Sequence, residues 1–119
     1  MNNGTGNAGG TSKPCVRHYS GSTAGRDYVT LITKSGLGTK KTIKMINDVR
    51  KNLGKNFTLM IDPNNSYDLK KSLDIGGALD DNDFYWFEDP LKWNDEKSIE
   101  ILGSNLKTPL AMTDQADFK

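Results

Sequence analysis

Three acidic residues close three apolar runs at one fixed interval, and this restricts the fold more than any other feature of the 119-residue chain. The run at 57–61 ends on Asp62, the run at 84–87 ends on Glu88, and the run at 108–112 leads to Asp114, so both intervals are 26 residues. The segments between the runs have helical spacing. Over 39–53, Ile43, Ile46, Val49 and Leu53 recur every three or four residues, and Gly54 is placed to close the helix. Ser66 is placed to cap a second helix that reaches about residue 79 and buries Leu69, Leu73 and Leu79. Gly76 and Gly77 either weaken that helix, by ~1 kcal/mol each, or mark a close approach. A short third helix is expected over 94–102, ended by Gly103.

Two more runs come earlier. Residues 15–20 read as a short strand, and 28–33, rich in β-branched and aromatic residues, as a buried strand ending at Lys34. The order is therefore strand, strand, helix, strand, helix, strand, helix, strand. Strands alternating with helices imply crossover units and a parallel sheet, an α/β fold. A repeat of 26–28 residues suits a doubly wound sheet or a barrel. Lys34, Asp62, Glu88 and Asp114 all fall where a strand passes into its loop, and a barrel gathers its site on that rim from successive strands. A doubly wound sheet concentrates its site at one switch point. The expected fold is thus an incomplete TIM (β/α)8 barrel, about its first four to five parallel strands over 15–119, since a full barrel takes ~250 residues. Such a half-barrel exposes strand edges and apolar faces, so self-association is expected.

Residues 1–14 are mostly Gly, Asn, Thr and Ser and are expected to form a disordered tail. Their GxGxxG at 4–9 has no strand before it and reads as chance, and the glycines at 36 and 38 lack the Gly-Lys-Ser/Thr run of a P-loop. The formal net charge of +1 gives no case for nucleic acid or an anionic membrane. No apolar run approaches the ~18 residues of a membrane span. The start lacks the basic and apolar regions of a signal peptide, and the single Cys15 excludes an internal disulfide; a cytoplasmic location is expected.

Three carboxylates from neighbouring strands, with no cysteine cluster, make a hard oxygen site suited to Mg2+, with Mn2+ as a substitute. Lys34 lies one strand earlier on the same rim. A lysine near a divalent cation can have its pKa lowered enough to act as a base. That pairing suggests removal of a proton α to a carboxylate, with the metal stabilising the enediolate. The plainer readings are an N-cap for Asp62 or Asp114, a solvated loop residue for Lys34, a turn residue for Asn64 and packing for Tyr85 and Trp86.

The Asp-Pro-Asn at 62–64 and the Trp-Phe-Glu-Asp-Pro at 86–90 resemble two motifs of the mandelate racemase/muconate lactonizing group of the enolase superfamily. The resemblance covers about residues 9–119. It implies that Asp62 and Glu88 are metal ligands, that Asp114 stands where a glutamate ligand is usual, that Lys34 is the base from a K-x-K pair, and that Asn64 lies near substrate. It implies a small hydroxy-carboxylate or sugar-acid substrate, with dehydratase or racemase chemistry. Three departures stand out. Ile32 replaces the first lysine of the pair, Asp114 is one methylene short, and the family's capping domain and later strands, including a histidine-bearing one, are not in this sequence. The expectation is a fragment of a magnesium-dependent enzyme that is inactive by itself. The rival is a non-catalytic remnant that acts only as a structural or partner-binding half-barrel. A response-regulator-like domain with an acidic pocket is the third reading.

Overall fold

The computed structural model describes residues 15–23, 26–33 and 37–112, with side chains from residue 28 onward. The expected tail at 1–14, Lys34 and Asp114 lie outside the described residues.

Strand β1 (Cys15–Thr23) pairs antiparallel with β2 (Arg26–Ile32). Then follow α1 (Thr39–Leu53), β3 (Thr58–Asp62), α2 (Leu69–Asp81), β4 (Trp86–Glu88), α3 (Glu96–Asn105) and β5 (Leu110–Ala111). Strands β2 to β5 are parallel, and the sheet order is β1-β2-β3-β4-β5. This is an α/β fold with four parallel strands and three helices. Each described crossover steps to the next strand in one direction. That removes the response-regulator reading, because a doubly wound sheet reverses its strand order at a switch point.

Side chains alternate across a strand, and the alternation separates the two faces here. Val29 and Leu31 of β2, Leu59 and Ile61 of β3 and Phe87 of β4 form one buried cluster with Ile46 of α1, Ile75 and Leu79 of α2, and Leu102 of α3. All three helices therefore cover one face. The register places Leu31, Ile61, Phe87 and Leu110 in a row on it. The opposite parity carries Thr30, Met60 and Trp86 in one row, and Ile32 and Asp62 in the next.

Helix α1 spans the expected residues and ends on Gly54, whose φ of 83° is a conformation that glycine adopts without strain. Arg50 braces the sheet beneath it. Its guanidinium donates to the carbonyls of Gly54, Phe57, Asn82 and Asp83, at the end where β3 and β4 begin.

Two helix boundaries differ from expectation. Asp68, not Ser66, caps α2: its carboxylate accepts from the Lys71 N–H at 2.8 Å, while the Ser66 hydroxyl donates back to the Pro63 carbonyl at 2.6 Å. A carboxylate at a helix start is also favoured by the positive end of the helix dipole. Helix α3 runs through Gly103 to Asn105, because the Ser104 hydroxyl and the Asn105 amide satisfy the carbonyls of Glu100 and Ile101 in its last turn. Strand β4 likewise lies later than 84–87, since Phe84 donates its N–H to Leu79 at the exit of α2.

The paired glycines of α2 play different parts. A Cβ at Gly76 meets Leu106 Cδ1 at 2.5 Å, whereas a Cβ at Gly77 meets nothing within 4 Å. Gly77→Ala is accordingly expected to stabilise the protein by ~1 kcal/mol through helix propensity. Gly76→Ala loses that gain to displacement of Leu106 and is expected to be neutral or destabilising by ~1 kcal/mol. Urea denaturation of the two variants checks the contrast.

At the other end of α2, Asp80 organises the approach to β5. Its carboxylate accepts from the backbone N–H groups of Lys107 and Thr108 and from the Thr108 hydroxyl at 2.6 Å. Partial desolvation acts to raise the Asp80 pKa, but these bonds and the Lys107 charge outweigh it and hold the carboxyl below its ordinary value. The depressed folded pKa means that the unfolded chain binds the proton more readily. The stabilisation is therefore complete above the ordinary value of 3.8 and is lost as the pH falls through the lower folded value. Asp80→Asn is expected to cost about 1 kcal/mol at neutral pH and to flatten the acid limb of the stability profile. Urea midpoints measured between neutral and acid pH test this.

Candidate metal centre

Asp62 is the last residue of β3 and Glu88 the last of β4, so two neighbouring parallel strands deliver their carboxylates to the same rim. The β3–β4 register pairs Met60 with Trp86, and two residues further along, on the same face, come Asp62 and Glu88. Oxygens of Asp62, Glu88 and Asp89 lie within 4.8 Å of one another, and Asp89 is buried. The Trp86 indole donates to Glu88 Oε1 at 3.3 Å, which gives that ring a role beyond packing. Tyr85 tilts against Trp86 and is largely exposed.

Asp89 is the member of this group that the sequence did not reveal. Adjacent strand residues point to opposite faces, so an acid beside Glu88 reads as facing away. The chain turns at Asp89, whose φ of 47° takes it out of strand geometry and lets both carboxylates reach one place. No periodicity encodes such a turn. The Asp-Pro that follows Glu88 was legible only as a strand stop.

The turn after β3 is similarly strained. Asn64 and Asn65 have φ of 57° and 61°, a left-handed conformation that asparagine tolerates better than most residues. The Asn64 N–H donates to Asp62 Oδ1 at 2.9 Å, which fixes the carboxylate from its own loop; the Asn64 side chain is exposed. This turn is bonded to the one after β4. The Asn65 N–H donates to the Asp89 carbonyl at 2.7 Å and the Tyr67 N–H to the Pro90 carbonyl at 3.1 Å. The Asn65 side-chain amide donates to the Leu91 carbonyl at 2.7 Å. Asp89 in turn donates its N–H to the Ala111 carbonyl of β5 at 2.9 Å.

Behind the rim, Tyr67 is buried with its ring edge-on to Phe87, and its hydroxyl lies 3.0 Å from the hydroxyl of Thr33, the residue before Lys34. Burial pushes the Tyr67 phenol up from its ordinary pKa, against the opposing effect of hydrogen bonds with Thr33 and Thr42.

The donor set fits a hard divalent cation. All three groups offer carboxylate oxygen, and an ion with ~2.1 Å bonds holds opposite ligands about 4.2 Å apart, close to the spread found here. Like charges gathered this closely repel, and a cation between them relieves the repulsion. Of the residues singled out in the sequence, the structure brings Asp62 and Glu88 together and sets Asn64 beside Asp62.

Known proteins share this fold. The chain is 32% identical over 69 residues to an L-talarate/galactarate dehydratase of Salmonella typhimurium, covering 58% of this chain and 17% of that protein. The structure of 3,6-anhydro-D-galactonate cycloisomerase from Zobellia galactanivorans superposes with a TM-score of 0.62 at 31% identity, covering 68% of this chain and 23% of that one. L-talarate dehydratase from Polaromonas sp. JS666, solved with Mg and L-glucarate, gives 0.60 at 26% identity over 68% of this chain and 23% of that one. The chain thus spans about a fifth of the length of these relatives. Residues 22–117 match the enolase C-terminal domain-like family, and the chain belongs to it, with mandelate racemase/muconate lactonizing enzymes and sugar-acid dehydratases of the enolase superfamily as its neighbours.

Proposed function

We propose that this chain forms the magnesium-binding part of an enolase-superfamily active site, within a (β/α)8 barrel, that removes the proton α to the carboxylate of a sugar acid or similar hydroxy acid. The observation that supports this best is the convergence of Asp62 and Glu88 at the ends of adjacent parallel strands, with Asp89 in reach. Asp62 and Glu88 hold Mg2+, and Asp114, the next acid in the 26-residue series, is a further ligand from the following strand. The bound ion supplies positive charge that stabilises negative charge developing on the substrate carboxylate. Lys34, which follows the pinned Thr33, accepts the proton, and the exposed Asn64 side chain faces substrate. Sugar-acid dehydration is the leading chemistry, since an L-talarate/galactarate dehydratase is among the relatives.

One observation favours a second reading. Ile32, which stands in place of the first lysine of the K-x-K pair, is a buried apolar residue on the site face of β2. A non-catalytic half-barrel that keeps the metal-binding fold is consistent with that loss. Titration of the full chain with Mg2+ by calorimetry tests the proposal, followed by galactarate with and without the ion. Saturable Mg2+ binding, and galactarate binding that requires it, are expected. A folded chain that binds no Mg2+ sinks the proposed site; Mg2+ binding without galactarate binding favours the second reading.

A further inference from the structure

The two strand ends proposed to bear the metal are joined by a clasp whose donors, Asn65 and Tyr67, lie outside both motifs. Only β3 and β4 residues present the Asp62 and Glu88 carboxylates, and these strands share a short ladder, since β4 has three residues. Beyond the ladder the chains turn apart, one into the loop to α2 and the other into the loop to α3. At this point three hydrogen bonds cross from one loop to the other, and Asn65 makes two of them. Its N–H donates to Asp89 O at 2.7 Å and its side-chain amide to Leu91 O at 2.7 Å. The carbonyl that accepts the first belongs to the residue after Glu88, and that same residue reaches β5 through its own N–H.

We infer that Asn65 is a positioning residue for the metal centre: it sets the separation of the Asp62 and Glu88 carboxylates by tying the loop after one to the loop after the other. This rests on the proposed Mg2+ site. Chemistry explains why asparagine stands there. The position has φ of 61°, where a β-branched or bulky residue is strained, and it needs a side-chain donor short enough to reach Leu91 O. Asparagine tolerates the backbone and supplies the amide. Glycine keeps only the backbone part, and alanine keeps neither the donor nor the ease of a left-handed turn.

Groups that orient metal ligands typically account for ~10–100-fold in metal affinity. The test is Mg2+ affinity of the full chain by calorimetry, with melting temperature measured in parallel, for the parent and three variants. Asn65→Ala is expected to weaken Mg2+ binding ~10-fold or more. Asn65→Gly, which allows the same backbone and serves if the alanine variant fails to fold, is expected to weaken it by a smaller but measurable factor. Arg50→Lys is the control. It loosens the brace at the opposite end of β3 and β4, so it is expected to lower the melting temperature and leave Mg2+ affinity at the parent value. A parent that binds Mg2+ and an Asn65→Gly variant that binds it equally well overturn the positioning role while the metal site stands. Loss of affinity in Arg50→Lys matching that in Asn65→Gly also overturns it, because general destabilisation then accounts for both. A folded parent that binds no Mg2+ removes the metal site and this inference together.

Discussion

Replacing Glu88 by glutamine is expected to raise the melting temperature of the metal-free chain and, in the same protein, to abolish the rise expected of the parent on adding Mg2+. The two effects have one cause. Oxygens of Asp62, Glu88 and Asp89 lie within 4.8 Å of one another, so replacing one carboxylate by an amide lowers the mutual repulsion of the group. Glutamine keeps an oxygen to accept from the Trp86 indole, which isolates the loss of charge from the loss of that bond. Relief of ~1 kcal/mol of repulsion corresponds to an increase of about 4 °C in a domain of this size. A ligand that binds only the folded state stabilises it by ~2.7 kcal/mol at a concentration of 100 Kd. Loss of a proposed carboxylate ligand is expected to remove that response and to weaken Mg2+ binding by more than ~100-fold, beyond the usual range for groups that only orient ligands. Asp62→Asn is expected to behave alike. Calorimetry and thermal unfolding with and without Mg2+ give both readouts. A Glu88→Gln protein that binds Mg2+ like the parent removes Glu88 from the site.

The second large effect concerns Phe87, the residue before Glu88. Its side chain is fully buried in the row Leu31, Ile61, Phe87, Leu110, with the Tyr67 ring edge-on at 6.2 Å. Phe87→Ala removes most of a large ring from a close-packed face and leaves a cavity, at an expected cost of 3–5 kcal/mol (roughly the range for buried Phe→Ala). Set against a total stability of ~5–15 kcal/mol for a typical domain, this removes a large share of the folding free energy. Because Phe87 faces the helices while Glu88 faces the rim, the variant keeps the proposed metal ligands. Added Mg2+ is therefore expected to restore part of the lost stability, as it does not in Glu88→Gln. Guanidinium denaturation with and without Mg2+ separates the two variants. A loss below ~1 kcal/mol contradicts the packing described for β4.

Asp62 and Glu88 were legible because each closes an apolar run at a fixed phase of a repeating unit, and phase is a local property of sequence. The same holds for α1, where apolar residues at steps of three and four and a terminal glycine fix both ends at 39 and 53. Helix α2 was placed correctly but its start was not. Ser66 and Asp68 are both competent caps, and the choice turned on the Ser66 hydroxyl bonding to Pro63 within a turn whose shape is set elsewhere.

What the sequence by itself determined is the strand–helix alternation, the parallel pairing it requires, and the delivery of two acids to one rim. Those follow from hydrophobic period and strand parity, which each segment carries without its neighbours. Tertiary structure decided that Asp89 joins Asp62 and Glu88, and that Asn65 rather than Asn64 bridges the two loops. Both depend on left-handed turns, at φ of 47° and 61°, that are held by hydrogen bonds between segments 24 to 26 residues apart. Such bonds form only once β3 and β4 lie side by side, so no reading of either loop alone contains them.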